Sequence, residues 1–254
     1  MADVFDAKSF ATHLIAAHHS HMPVSPDEIG AGPQNPEEAF AVQAAVMREL
    51  GANGGFKTSR PDPAKPSIMA PIPARFVRPS PAHYETSEMR RYGVEIEIAF
   101  RIDSAVPALG DADYDNRLRA AVSAVAAVEM VDSRLADLEG ASPMIKLADN
   151  QSGFGLVVGK PVKDFSNLNL INPAITFTVN GIQTGPTDGQ IPGTVDGFQV
   201  LKDVLEIIGD HCGGLQPGMY VTTGALSGLF WIDKGARIDG SIDGLGEVTS
   251  TIGA

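Results

Sequence analysis

Two glutamates stand two positions apart in Val94-Glu95-Ile96-Glu97-Ile98. In a strand that spacing puts both carboxylates on one face, with about 6.6 Å of rise between them. Two anions so placed repel unless water or a cation lies between them. One reading is a solvated strand face, the usual state of glutamate. The other is a site for a hard divalent ion such as Mg²⁺, which takes a few carboxylate oxygens and keeps water or substrate in its other positions. Glu129 weighs toward the ion. Every neighbour within two positions of it, in Ala127-Val128-Glu129-Met130-Val131, is apolar, and a buried lone carboxylate is costly unless paired or metal-bound. Arg134 or backbone donors are the alternative partners. Together Glu95, Glu97 and Glu129 would make a facial oxygen site open to substrate.

Three other signals carry less. His18-His19-Ser20-His21 has the residue types of a metal site, but adjacent side chains at a helix end diverge, so a polar helix terminus is the better account. Asp111-Ala112-Asp113-Tyr114-Asp115-Asn116 has the acid spacing of a calcium loop, yet its sixth position is Asn116 and its twelfth is Val122. An acidic turn capping the next helix fits better. Cys212 stands beside His211 with no third partner in sight, so no thiol nucleophile is expected.

The elements that must position these residues follow from hydrophobic periodicity. Residues 7–18 space Phe10, Leu14, Ile15 and Ala17 as a helix. A second helix is expected over Asn35 to Leu50, opened by Asn35-Pro36-Glu37-Glu38 and stopped by Gly51. Seven prolines between Gly51 and Pro81 then predict an extended loop from Pro61 onward. From Val94 the period changes to two, which predicts a strand with Glu95, Glu97, Ala99 and Arg101 on one face. A helix from Asp115 to about Val125 should run into a strand near Ala126 to Val131. Further strands are expected at 156–158, 174–179, 219–223, 236–242 and 246–250, and a helix over Thr194 to Gly209. Asn180-Gly181, Asp239-Gly240 and Asp243-Gly244 are predicted turns. The pattern is α/β or α+β, with a helical N-terminal part and Pro-rich loop over 1–80 and a sheet-rich part over 81–254.

Composition narrows the partners. The chain has 254 residues, 43% hydrophobic and 20% charged, which excludes wholesale disorder. Its 27 glycines and 18 prolines suit a turn-rich sheet protein. Thirty-one acids against 19 bases give a net charge of −12, which argues against nucleic acid and membrane surfaces and suits a protein that holds cations. A single cysteine implies a reducing compartment. The first ten residues lack signal-peptide order and no 18-residue apolar run occurs, so a cytoplasmic protein is expected.

Read in order, Val94–Phe100, Val128–Arg134, Ala148-Asp149-Asn150-Gln151-Ser152, Pro217–Leu226 and Leu245–Val248 resemble the hydratase/decarboxylase branch of the fumarylacetoacetate hydrolase superfamily. The resemblance covers about Asn35 to Val248. It implies an α+β fold with a rolled mixed sheet, a homo-oligomer, Mg²⁺ or Mn²⁺ held by Glu95, Glu97 and Glu129, and a small 2-oxo acid substrate. It implies a lyase that adds water to a 2-hydroxy-dienoate or 2-oxo-enoate, of the 2-keto-4-pentenoate hydratase type. Decarboxylation, C–C hydrolysis and a non-catalytic binding role are the alternatives. Lys57, in Gly54-Gly55-Phe56-Lys57-Thr58-Ser59, matches the family's lysine and would act as acid or base; otherwise it is an exposed loop lysine. Asp149, Ser152 and Thr223 would line the substrate pocket, or else cap turns. The resemblance departs in two places. Lys57 adjoins Thr58-Ser59, where the family has intervening residues. Between Asp62 and Glu85 there is no acid, where members often carry one; the charged groups there, Lys65, Arg75 and Arg78, would hold the second carboxylate of a diacid or be solvated surface charge.

Overall fold

The structure, a computed structural model, describes residues 5–59, 67–192 and 195–254. Helix α1 (Ala7–Ser20) is capped by Asp6, whose side chain accepts from the Lys8 amide. A single turn, α2 (Pro26–Ile29), precedes α3 (Pro36–Leu50), where Asn35 accepts from the Glu38 amide and Pro36 occupies the first turn. These helices bury Phe10, Leu14, Val42 and Val46 in their own cluster, which also takes Leu135 and Leu147.

Six strands follow before the next long connection is complete or soon after it: β1 (Asn53–Ser59), β2 (Ile68–Pro73), β3 (Val77–Pro79), β4 (Ala82–Tyr84), β5 (Tyr92–Ile102) and, after helix α4 (Tyr114–Ala121), β6 (Val122–Val131). Then come α5 (Pro143–Ala148), β7 (Gly153–Val158), β8 (Ile175–Val179), β9 (Ile182–Gln183), α6 (Gly197–Ile208), β10 (Tyr220–Ala225), β11 (Phe230–Ile232), β12 (Arg237–Ile242) and β13 (Gly246–Ile252). The larger sheet has the order β2-β1-β10-β5-β6-β7-β3, with β11 pairing the start of β5. The smaller sheet has the order β4-β13-β12-β8-β9. Both are mixed: β1–β10, β3–β7 and β4–β13 are parallel and the remaining pairs antiparallel. Ile72 of edge strand β2 shares a cluster with Leu156 and Val158 of β7, so the larger sheet is rolled. This is the α+β architecture expected.

The outer face of β5, carrying Val94, Ile96, Ile98 and Phe100, packs on the smaller sheet and α6 through Phe177, Ile238, Val248, Phe198 and Val204. The opposite face carries Glu95, Glu97 and Ala99 and meets Val125, Ala127 and Leu156 inside the roll. Burying both faces explains why β6 reads as an apolar run interrupted only by Ser123 and Glu129 and not as an alternation.

Four expectations need correction. The segment from Pro61 onward, expected as a loop, holds the edge strands β2 and β3. Lys57 lies on β1, and Pro71, Pro73 and Pro79 lie on β2 and β3, the two edges of the larger sheet, where a missing N–H leaves no ladder bond unmade. Pro61, Pro63 and Pro66, with Asp62 and Lys65, lie outside the described residues, as does Thr194. The chain before residue 80 therefore contributes to the sheet as well as to the helical cluster. Helix α4 ends at Ala121 because two-sided pairing with β5 and β7 outweighs the helix propensity of the alanines that follow. Asp239-Gly240 is no turn: Gly240 lies inside β12 opposite Phe177 and Val248, and a Cβ there would stand 2.8 Å from Ile96 Cδ1. Asn180-Gly181 and Asp243-Gly244 do turn between β8 and β9 and between β12 and β13. Asp113 precedes α4 without a capping bond and accepts from Asn116 Nδ2 at 2.6 Å. No helix among the described residues is long and apolar enough to cross a membrane.

Candidate metal centre

Strand register assembles the site. In the antiparallel β5–β6 pair, Glu95 stands directly opposite Glu129, and Glu97 opposite Ala127. Glu129 is thus the cross-strand partner of one glutamate and the diagonal neighbour of the other. One oxygen from each of Glu95, Glu97 and Glu129 lies within 4.8 Å of the others. Like charges directly opposite one another destabilise a sheet, so the arrangement calls for positive charge.

Lys57 supplies part of it. The β1–β2 and β1–β10 pairings carry it to the roll's interior, with Thr58 Oγ1 donating to the Thr222 carbonyl at 2.8 Å. Its ammonium sits 2.5 Å from Glu129 Oε1 and donates to the Gln151 carbonyl at 3.1 Å. Gly153 makes room for this, since a Cβ at that position would lie 2.8 Å from Lys57 Cδ. The lysine is 6% exposed, so the loop-lysine reading is set aside.

Glu97 is held differently. The β10 register shifts between Thr222 and Ala225, and the bulge turns the amides of Thr223 and Gly224 onto Glu97 Oε2 at 3.1 and 2.8 Å. Burial, then the charges of Glu129 and Glu95, raise the Glu97 carboxyl well above the usual range. Burial followed by the Glu129 charge pushes Glu95 up to about 7. Burial alone would lower the Lys57 pKa, but the Glu129 and Glu95 charges outweigh it and the net direction is up. Lys57 is therefore an ammonium facing three carboxyl groups.

The donor set fits a hard divalent cation. It offers three carboxylate oxygens at close range, and neither oxygen of the fully buried Glu129 accepts an aligned hydrogen bond from the protein. Among the described residues Lys57 is the one cation at the cluster, so one base faces three acids and the rest of their charge must be met by protons or by a metal ion.

The other expected site residues divide. Thr223 meets the cluster through its amide, while its hydroxyl donates to the Ile98 carbonyl. Asp149 does not join it. Its carboxylate is taken by Arg134 Nε, the Arg134 amide and Ser133 Oγ. Arg134 also donates to the carbonyls of Asp132, Gly153 and Asp149. Arg134 thus pairs Asp149 and not Glu129. Ser152 is tied by its backbone, accepting from Asp132 and donating to Asp149. The Asp149 clamp instead fixes a turn in which Asn150, Gln151 and Ser152 all adopt left-handed φ of 50–58°, and this turn aims the Gln151 carbonyl at Lys57. Gln151 and Gly224 act through backbone atoms, so no side-chain signal pointed to them. His18, at the helix end, is half-buried against Phe76 and Phe154, and burial and Arg134 bring its pKa down to about 3. Burial pushes the Cys212 thiol up to about 11.

No family model matches the chain. A curated 2-keto-4-pentenoate hydratase 1 from Dechloromonas aromatica (strain RCB) is 31% identical over 141 residues, 54% of this chain and 51% of that protein, so the match spans about half the length of that relative. Among solved structures, 4-oxalocrotonate decarboxylase from Pseudomonas putida G7, complexed with magnesium and adipate, superposes with a TM-score of 0.81 over 97% of each chain at 17% identity. Fumarylpyruvate hydrolase from Pseudomonas aeruginosa, in complex with Mn²⁺ and pyruvate, gives a TM-score of 0.55 at 21% identity, covering 80% of this chain and 90% of that one. A yeast fumarylacetoacetate hydrolase family protein gives 0.56 at 14% identity, covering 80% and 93%. The fold is that of the fumarylacetoacetate hydrolase superfamily, and the match to a hydratase sequence supports placing this chain there.

Proposed function

We propose that the chain is a divalent-metal-dependent lyase that hydrates a 2-hydroxy-dienoate or 2-oxo-enoate. The observation that carries this reading is the convergence of Glu95, Glu97 and Glu129 with Lys57 against Glu129. Glu95, Glu97 and Glu129 would hold Mg²⁺ or Mn²⁺. Such an ion, when bound, polarises the 2-oxo oxygen of a chelating substrate as a Lewis acid and draws the carboxylates' charge away from Lys57. The protein's own groups do the rest. The amides of Thr223 and Gly224 keep Glu97 oriented, and the Gln151 carbonyl keeps the Lys57 ammonium aimed at the carboxylates. Lys57 is placed to hand its proton to the substrate carbon and recover one from the enol oxygen, which gives the 2-oxo-enoate; water then adds across its conjugated double bond, hydroxyl to the far carbon and proton to the carbon beside the carbonyl. Asp149 and Ser152 serve by shaping the turn behind Lys57, and Thr223 by its amide.

The shared chemistry of enolate stabilisation also serves decarboxylation. That second reading is favoured by the full-length structural likeness to a decarboxylase. Turnover separates them. With Mg²⁺, 2-hydroxy-2,4-pentadienoate should be hydrated, and an oxalocrotonate-type diacid should release carbon dioxide far more slowly or not at all. A Glu95→Ala, Glu97→Ala double variant should be inactive; full turnover by it would defeat the metal role. A homo-oligomer in the cytoplasm completes the proposal, supported by the family resemblance and the single cysteine.

A further inference from the structure

Exposure marks the mouth of the centre. Glu97 and Glu129 are buried and Glu95 is half-buried, so the carboxylates are reached from the Glu95 end of β5. The next inward-facing position toward the start of that strand is Gly93, and its missing side chain lets two others lie over it. A Cβ there would stand 2.9 Å from Leu229 Cδ1 and 3.0 Å from Trp231 Cζ3. Trp231 is the cross-strand partner of Gly93 on β11, so its ring is on the same face of the sheet as Glu95. Leu229 and Trp231 are 39% and 40% exposed, and they form an open apolar rim.

Two arginines precede β5 and are engaged differently. Asp132 accepts from the Arg90 and Arg91 amides at 2.9 and 3.3 Å, which fixes the backbone of both. The Arg90 guanidinium donates to the Ser133 carbonyl at 2.9 Å. The Arg91 guanidinium lies 3.8 Å from the centre of the Trp231 ring, and no carboxylate among the described residues pairs with it. Stacking on the ring holds the planar group in place and leaves its N–H edge for a ligand. Other cations are less suited. Arg78 pairs with Glu88, and Arg75 meets His18. Lys146 has no counter-anion, but the cavity it lines takes in neither Lys57 nor the three glutamates.

Gly93 and Glu95 are separated by about 6.6 Å of strand rise. With the Trp231 ring over Gly93 and the guanidinium 3.8 Å from the ring centre, the cation stands on the order of 10 Å from the carboxylates. An extended six-carbon diacid bridges that distance once a hydrogen-bond length is added at each end.

We infer that Arg91, held flat on Trp231, binds a second carboxylate at the far end of the substrate, which makes that substrate a dicarboxylate. The inference rests on the proposed oxo-acid reading and specifies its substrate class: hydration proceeds at the near end, and the far carboxylate adds binding. The guanidinium fork matches a carboxylate bidentately, and Leu229 and Trp231 cover the carbons in between. A net charge of −12 repels a second carboxylate over the rest of the surface, so the diacid is the better ligand only because of this local cation.

Trp231 is the only tryptophan in the chain and reports on the test directly. Fluorescence titration of the full chain with Mg²⁺ present compares 2-oxoadipate with the equally long monoacid 2-oxohexanoate. The diacid should bind on the order of tenfold tighter or more, the gain expected from hydrogen bonds to a charged group, and should protect Trp231 from acrylamide quenching. Arg91→Gln should bring the affinity ratio of the two ligands to near one. Arg91→Lys, which keeps the charge and loses the fork, should give a ratio in between. The bond to Asp132 comes from the Arg91 amide, so both variants keep the start of β5 in place. Equal affinities or a tighter monoacid in the native chain, a ratio that survives Arg91→Gln, or a Trp231 that acrylamide cannot reach without ligand overturns the inference, while Mg²⁺ binding and dienoate turnover keep the proposed function standing. A folded chain that neither binds Mg²⁺ nor turns over any 2-oxo acid overturns both.

Discussion

Two clusters of buried charge lie close together in this molecule and are built on opposite terms. Arg134 and Asp149 form a balanced pair in which the guanidinium reaches three carbonyls and the carboxylate takes the guanidinium, an amide and a hydroxyl. Glu95, Glu97, Glu129 and Lys57 are unbalanced, with three acids against one base and both oxygens of Glu129 lacking an aligned donor. Burial raises the carboxyl pKa in both places, for Asp149 and for Glu97 alike. The direction of a pKa shift therefore does not separate them. Counting partners and charges does: the first cluster is complete as protein, and the second calls for a cation.

The contrast is broken most directly by removing one member of each. Glu129→Gln should lower turnover by about a thousandfold or more while leaving stability unchanged or higher, because it relieves repulsion. Arg134→Ala should cost about 3–5 kcal/mol in denaturant unfolding by stranding Asp149. Equal loss of stability in both variants would erase the distinction.

A smaller effect is expected from pH. Glu95 is pushed up to about 7 in the folded chain against an ordinary 4.5, and Glu97 is raised well above its ordinary value too. Between those values the folded state holds protons that the unfolded state has released, so metal-free stability should fall as pH rises from about 4.5 to 7. Mg²⁺ at a hundred times its dissociation constant should restore about 2.7 kcal/mol, and more of its effect should appear at pH 8 than at pH 5. A melting temperature that rises over this window without metal would contradict the charge accounting. The smallest effect belongs to the exposed pair Arg237–Asp239, 2.7 Å apart. Arg237→Ala should leave the denaturant midpoint indistinguishable from that of the native chain, as expected of a solvated ion pair.

Much of this was legible in the chain itself. Period-two alternation over 94–101 placed Glu95 and Glu97 on one face, and the apolar surroundings of Glu129 marked it as a charge in need of a partner. The register that sets Glu129 opposite Glu95 was not legible, because alternation fixes faces and not neighbours. Lys57 was visible only through resemblance: Asn53–Ser59 has neither alternation nor bulk, and it becomes a strand by pairing with Ile68–Pro73 and Tyr220–Ala225. Asp149 illustrates the reverse. Its motif resembled a substrate-binding one, and the competition between Arg134's two possible acids was settled by tertiary packing. Gln151 and Gly224 contribute backbone atoms, which any residue type has.

The parallel union of β1 with β10 has an entropic side. The three glutamates meet through two strands that are neighbours in sequence order along the sheet, whereas Thr58 joins Thr222 across 164 positions. Closing a loop of that size costs more chain entropy than closing the β5–β6 pair, and Glu97 takes its two amide bonds only from β10. The centre therefore draws on β1, β5, β6 and β10 together, strands that lie far apart along the chain.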